Sequence, residues 1–211
     1  SCPPTPGQNR KEPFTIPIEI ALHFAQEIDE HTQPALEKLL VLEDSSQRFE
    51  FSDVPSRPLP AILRGFTAPV KIKFDYSDSQ LLFLIKHDAD GFVRWDASRR
   101  YFVSMIEQDM AGTTPIIGKE GRAKLAAIAD LMKELLEEGV RQEESQEAQW
   151  SDKVDAALLA EILSLPSHDF VLEQFDQVSI NKLNDAMDSL RFAYANELSL
   201  IHISEPTRRY E

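Results

Sequence analysis

Val70-Lys71-Ile72-Lys73-Phe74-Asp75-Tyr76-Ser77-Asp78-Ser79-Gln80-Leu81-Leu82-Phe83-Leu84-Ile85 is the stretch that decides the fold class. Up to Tyr76 its apolar residues fall at every second position, the period of a strand with one buried face. From Leu81 onward they fall at threes and fours, and Phe92, Trp95, Phe102 and Ile106 continue that spacing. A period near 3.6 belongs to a helix. The reading is a β part followed by an α part joined at 76–77, with Ser77 or Asp78 as N-cap of the first helix.

Upstream, Phe14, Ile16, Ile18, Ile20 and Leu22 alternate with Thr15, Pro17, Glu19 and Ala21. That predicts a strand, with Pro17 at an edge or bulge because it cannot donate to a ladder. Leu39 to Leu42, Arg48 to Phe51, Ala61 to Phe66 and Val70 to Tyr76 read as further strand candidates, broken by Pro55, Pro58 and Pro60. Five or six short strands at such spacing predict a small immunoglobulin-like antiparallel β-sandwich over 1–76. Because that is shorter than the roughly 100 residues usual for such a sandwich, its first strand is expected to be missing. Ser1 to Pro13 reads as an extended lead-in.

Downstream, the first helix carries Leu81, Leu82, Leu84 and Ile85 and breaks at Asp90-Gly91. The second runs from about Phe92 to Met110 and stops at Gly112 and Pro115. The third runs from Glu120 to Glu138, with Leu125, Ile128, Met132, Leu135 and Leu136 on one stripe, and is expected to end at Gly139. A polar, acidic connector, Val140 to Ser151, leads to a helix over Asp152–Leu163 that Pro166 terminates. A short helix over His168–Phe175 follows. A final long helix carries Ile180, Leu183, Met187, Leu190 and Tyr194. Amphipathic helices on short loops predict an antiparallel helical array over 77–197.

The formal charge of −14 argues against a nucleic-acid partner or an anionic membrane surface, since both reward Lys and Arg clusters. The single cysteine, Cys2, excludes an intrachain disulfide, and no apolar run approaches the roughly 18 residues of a membrane span. With no Met at position 1, Ser1 is expected to be a cut end.

Nothing in the residues spells catalysis. His23, His31, His87, His168 and His202 form no H-E-x-x-H pair, and seven scattered glycines make no phosphate-binding loop. His87 beside Asp88 is the nearest approach to an acid–base pair, but it sits at a helix end and reads as an exposed residue meeting the dipole. His23 and His31 flank the acidic run Gln26 to Glu30 and read as surface residues. Cys2 has no basic neighbour to lower its pKa. The carboxylates Glu137, Glu138, Glu143, Glu144 and Glu147 read as a solvated helix end. Arg94-Trp95-Asp96 could be a recognition patch, but Trp95 is in phase with Phe92 and Phe102 and reads as core. No catalytic, cofactor-binding or metal-ligating residue is assigned.

The segments Leu59 to Lys73 (LPAILRGFTAPVKIK), Leu84 to Ala97 (LIKHDADGFVRWDA) and Asp155 to Ser167 (DAALLAEILSLPS), with the lead-in Thr5-Pro6-Gly7-Gln8, resemble the bacterial aminopeptidase N family of zinc metallopeptidases. The resemblance covers roughly residues 3 to 197. It implies a parent with an N-terminal β domain, a thermolysin-like catalytic domain, a small β-sandwich and a C-terminal helical superhelix that covers the active site. Residues 1–76 then correspond to the sandwich and 77–197 to the opening helices of the superhelix. The implied parent is an alanyl or broad-specificity, cytoplasmic aminopeptidase. Its zinc, catalytic residues and G-A-M-E-N motif lie in the catalytic domain, so this chain is expected to hold no cofactor and to be inactive alone. Peptide substrate would reach it only through the parent, and its own partner would be that catalytic domain, packed intramolecularly. Asn184-Asp185-Ala186-Met187-Asp188 echoes the G-A-M-E-N motif by coincidence, being part of a helical stripe. Leu198 to Arg208 (LSLIHISEPTR) resembles a translated sequencing-library adapter, so 198–211 reads as a non-native tail. The competing reading is a free-standing interaction module with no enzymatic role.

Overall fold

The computed structural model describes residues 6–7, 13–24, 36–144 and 156–203. Cys2, His31, the run Gln26 to Glu30, Glu147 and residues 204–211 therefore lie outside the described residues, as do the side chains of Glu143, Glu144 and His202. The chain divides into two compact units, Ser1–Arg94 and Trp95–Glu211.

In the first unit three strands form one antiparallel sheet in the order β2-β1-β3. They are β1 (Ile16–His23), β2 (Leu36–Leu42) and β3 (Leu59–Ile62). The predicted strand around Pro17 is central, with Pro17 opposite Val41 on β2 and Ile20 opposite Ile62 on β3. The proline is tolerated because β3 reaches only as far as Ile20. Glu19 sends its amide to the Thr67 hydroxyl at 3.1 Å on the β3 side. Alternate residues address the same edge, so the N–H that Pro17 lacks would fall on that edge, before β3 begins.

One face of β1 presents Ile20, Leu22 and Phe24 to a small core completed by Leu36, Leu40, Phe51 and Ile62. The other face presents Ala21 and His23, both buried. Two predicted strands are absent: Arg48 to Phe51 and Val70 to Tyr76 lie outside the sheet. Their alternation is nevertheless used. Phe51 packs on the sheet core, and the Tyr76 hydroxyl donates to Pro60 O at 2.9 Å. Side-chain alternation needs only an extended chain over an apolar surface, whereas sheet membership also needs a neighbour in register. The predicted Ala61 to Phe66 strand breaks at Ile62, where the chain turns through Arg64–Phe66 with Leu63 (φ 68°), Gly65 (φ 61°) and Phe66 (φ 50°) all left-handed.

Helix α1 (Asp78–His87) starts where the period changes. Ser77 caps it, accepting from the Gln80 amide while the Gln80 side chain accepts from the Ser77 amide. This reciprocal capping box satisfies two otherwise orphaned donors. Helix α2 (Gly91–Ala111) ends at Gly112, whose φ of 71° permits the paired bonds Gly112 N to Asp109 O and Thr113 N to Gln108 O.

Helix α3 (Lys119–Glu144) runs past Gly139, contrary to expectation. One glycine costs a helix only about 1 kcal/mol and does not by itself end it. α4 (Ala156–Leu163), α5 (His168–Leu172) and α6 (Ile180–Ile203) complete the second unit.

Leu125, Ile128, Met132 and Leu135 of α3 are buried, as are Leu183, Met187, Leu190 and Tyr194 of α6. Leu136 and Ile180, expected in those stripes, are exposed. Trp95 is half-buried rather than core and packs edge-on against Phe170 at 5.9 Å. Trp95 shares the face of Phe102 and Ile106, both fully buried, but stands nearer the start of the helix.

Candidate functional site

Among the described residues two clusters of buried polar side chains stand out, one in each unit. In the first unit the hub is Asp88, just beyond the end of α1 and only 3% exposed. The sequence Asp88-Ala89-Asp90-Gly91 builds part of it locally. Asp88 Oδ1 accepts the Asp90 amide at 2.7 Å, an Asx turn, and Asp90 Oδ1 accepts the Val93 amide at 2.9 Å, capping α2.

The other partners arrive from distant sequence. His23 of β1 places Nε2 2.7 Å from Asp88 Oδ2. Arg64 brings Nη2 to within 3.4 Å of Asp88 Oδ1 and pairs through Nη1 with Glu37 of β2. Asp90 Oδ2 accepts the Gly65 amide at 2.9 Å, and Arg94 Nε donates to Ile85 O at 2.8 Å near the end of α1. Burial alone would lower the Arg64 pKa, but the bond to Glu37 and the charges of Asp88 and Asp90 outweigh it and raise the pKa.

His23 is 2% exposed, which corrects the expectation of a surface residue. His87, expected to be exposed at the helix end, is only partly so. Its ring lies 4.8 Å from that of Phe83, and Asp88 turns to His23. Nothing local in the sequence announces the His23–Asp88 bond, because the two residues are 65 positions apart.

The second cluster closes the end of α4. A helix leaves its last four carbonyls without intrahelical donors. Here Glu161 O accepts from Arg99 Nη2 at 2.6 Å, Ile162 O from Ser98 Oγ at 2.8 Å, and Leu163 O from the Tyr194 hydroxyl at 2.8 Å. Ser164 O accepts from Arg99 Nη1, and Arg99 Nη2 also reaches Ser164 Oγ at 2.9 Å. Arg99 lies over the Trp95 ring, its guanidinium carbon 5.6 Å from the centroid. Burial lowers its pKa, opposed by the Glu161 and Tyr194 charges.

The segment Arg94-Trp95-Asp96-Ala97-Ser98-Arg99 and the segment Ala160-Glu161-Ile162-Leu163-Ser164 thus meet through Ser98 and Arg99. Arg94 bonds to α1 and Asp96 to Arg100 at 2.6 Å, so the triplet is spent on helix packing. The Asn184–Asp188 echo also resolves structurally: Ala186 and Met187 are core, and Asn184 Oδ1 lies 3.0 Å from His168 Nε2.

Burial pushes the Tyr194 phenol up to about 12, with the Arg99 charge opposing. A folded pKa above the unfolded value near 10 gives stability that is complete below about pH 10 and lost as pH rises toward about 12. Between pH 8 and pH 11 the chain should therefore lose about 1.4 kcal/mol that a Tyr194→Phe variant does not lose. Urea midpoints of both proteins at the two pH values measure this, and parallel losses would show that the phenol is not sealed.

Neither cluster fits zinc. Among the described residues no group of three or more His, Cys, Asp or Glu could hold a metal ion. His23 and Asp88 are sealed from solvent and bonded to each other, and Asp88 Oδ1 also holds the Asp90 amide and faces Arg64. The arrangement fastens elements to one another. Among the described residues no helix is long and apolar enough to cross a membrane.

An Ig-like β part followed by an antiparallel helical array, with its polar groups devoted to fastening, defines a two-part scaffold. Residues 1–75 match the model "Domain of unknown function (DUF3458) Ig-like fold" and residues 78–203 match "Domain of unknown function (DUF3458_C) ARM repeats". The chain belongs to the aminopeptidase N family, in which these two domains are found together.

It is 30% identical over 203 residues to Aminopeptidase N of Escherichia coli K12, an alignment covering 93% of this chain and 21% of that protein. Aminopeptidase N of Haemophilus influenzae is 36% identical over 113 residues, 52% of this chain and 13% of that one. The crystal structure of Legionella pneumophila aminopeptidase A in complex with aspartic acid superposes with a TM-score of 0.66 at 25% identity, covering 98% of this chain and 22% of that one. The alignments thus span only 13% to 22% of the length of these relatives, and the chain corresponds to a non-catalytic, accessory region of an aminopeptidase.

Proposed function

We propose that this chain is the spacer and chamber-wall region of a cytoplasmic zinc metallo-aminopeptidase that removes N-terminal residues from peptides. The sheet unit sets the distance between the peptidase domain and the helices, and the helices help enclose the peptide. Enclosure restricts access to short or unfolded chains and keeps the substrate near the metal, a positioning contribution. Zinc and the reacting groups belong to the peptidase domain, on which this region packs intramolecularly.

The observation that supports this most is the unbroken order of the two family matches, Ig-like then ARM-type, along one chain that aligns with aminopeptidase N over 203 residues. The test is turnover. The purified 211-residue chain, incubated with zinc and aminoacyl arylamides, should release no arylamine above the buffer blank. Turnover that a chelator abolishes would place the chemistry in this region and overturn the proposal.

A further inference from the structure

The family matches part the chain between residues 75 and 78, where the hydrophobic period changes. The bonding parts it later. We infer that Asp88 is a positioning residue, a carboxylate latch that makes α1 and the first turn of α2 one cooperative body with the sheet, independently of whether the peptidase reading holds.

Four segments converge on the latch, all within Ser1–Arg94. β1 contributes His23 to Asp88 Oδ2, and the left-handed turn after β3 contributes Arg64 to Oδ1. Arg64 carries the connection on to Glu37 of β2. The start of α2 contributes the Asp90 amide, and Asp90 in turn pins Gly65. α1 adds Phe83, whose ring meets His23 edge-on at 5.5 Å, and supplies Leu84 O to the Asp88 amide.

The turn that supplies Arg64 is held against its own backbone preferences. Leu63 and Phe66 are bulky residues at positive φ, a conformation that persists only where surrounding bonds impose it. The bonds of Arg64 and Gly65 to Asp88 and Asp90 are such constraints. A latch this buried is intolerant of partial loss, because removing one partner leaves the other charge uncompensated. α1 is therefore an integral cover of the sheet rather than the first free helix of the array, and an excised sheet domain must extend to Arg94 to be whole.

Residue-resolved hydrogen exchange on the full 211-residue chain tests this without any variant. Amides of Ala21 and Leu22 in β1 and of Leu84 and Ile85 in α1 should show protection factors equal within about threefold, as members of one unfolding unit do. If the α1 amides instead exchange with a clearly different protection factor from β1, the inference is overturned. Asp88→Ala should then lower protection in β1 and α1 together by roughly 100-fold or more, while Leu131 of α3 and Leu190 of α6 keep theirs. Asp88→Asn, which keeps an acceptor for the Asp90 amide and turns its NH2 as a donor toward His23 Nε2, should restore part of it in both elements equally. Loss confined to α1, or an equal loss in α3 and α6, would show that Asp88 does not join the sheet to the helix.

Discussion

Replacing Arg99 with methionine should cost the helical unit about 2–3 kcal/mol, and replacing it with lysine should recover little of that. Methionine keeps most of the apolar stem and its packing on Trp95, so the loss reports the guanidinium. That group donates to Glu161 O, Ser164 O and Ser164 Oγ. Ser164 O then loses its Arg99 donor, while Glu161 O keeps the Ser164 hydroxyl at 3.0 Å and the Ser164 amide at 3.3 Å, in a place where Arg99 itself is only 5% exposed. Buried acceptors stripped of a partner cost about 1–3 kcal/mol each, and bonds from a charged donor lie at the upper end. Lysine fails because a point-like ammonium cannot reach two carbonyls and a hydroxyl with a planar fork. Denaturant unfolding followed by far-ultraviolet circular dichroism reads the loss. A change below about 1 kcal/mol for R99M would mean that water replaces the guanidinium at the helix end.

What the sequence made legible, and what it did not, divides by range. The start of α1 is written locally: Ser77 and Gln80 are three residues apart, and the capping box they form needs nothing else. The stripes of α3 and α6 are local too, since Leu125, Ile128 and Met132 share a face by helix geometry alone. Leu136 and Ile180, placed in those stripes by the same spacing, are exposed.

The strands fared differently. Val70 to Tyr76 alternates faultlessly and is still not in the sheet, because register needs a partner that periodicity cannot name. Polar clusters were the least legible. Arg99 caps a helix end 62 to 65 residues downstream, and His23 finds Asp88 at a separation of 65. Within the motif the eye is drawn to Trp95, yet the residues that join the helices are Ser98 and Arg99 beside it. The family resemblance draws attention to stretches that overlap both segments without revealing that one caps the other.

Gly121 gives a case where sequence and structure predict opposite signs. It lies in the first turn of α3, in Lys119-Glu120-Gly121-Arg122, and helix propensity alone favours Gly121→Ala by about 1 kcal/mol. The fold reverses this. A Cβ at position 121 would stand 2.3 Å from Pro115 O, 2.6 Å from Ile116 Cα and 2.6 Å from Ile116 O. All three atoms are backbone, so no side chain can rotate away to make room. Ile116, fully buried, holds that segment in place, and its amide is bonded to Asp109 Oδ1 at 2.8 Å. Relief must come from moving α3 or the Pro115–Ile116 segment, and both are tied into the core of the second unit. Overpacking of this kind costs about 1–3 kcal/mol where side chains can yield and more where they cannot. Gly121→Ala should therefore destabilise the chain by about 3 kcal/mol net, lowering its thermal midpoint by several degrees. Gly118→Ala is the internal control: its nearest contact, the same Pro115 O, stands at 3.0 Å rather than 2.3 Å, so far less displacement is needed and its loss should be smaller. A G121A protein as stable as the parent chain would show that the Pro115–Ile116 segment does not pack against α3 as closely as it stands here.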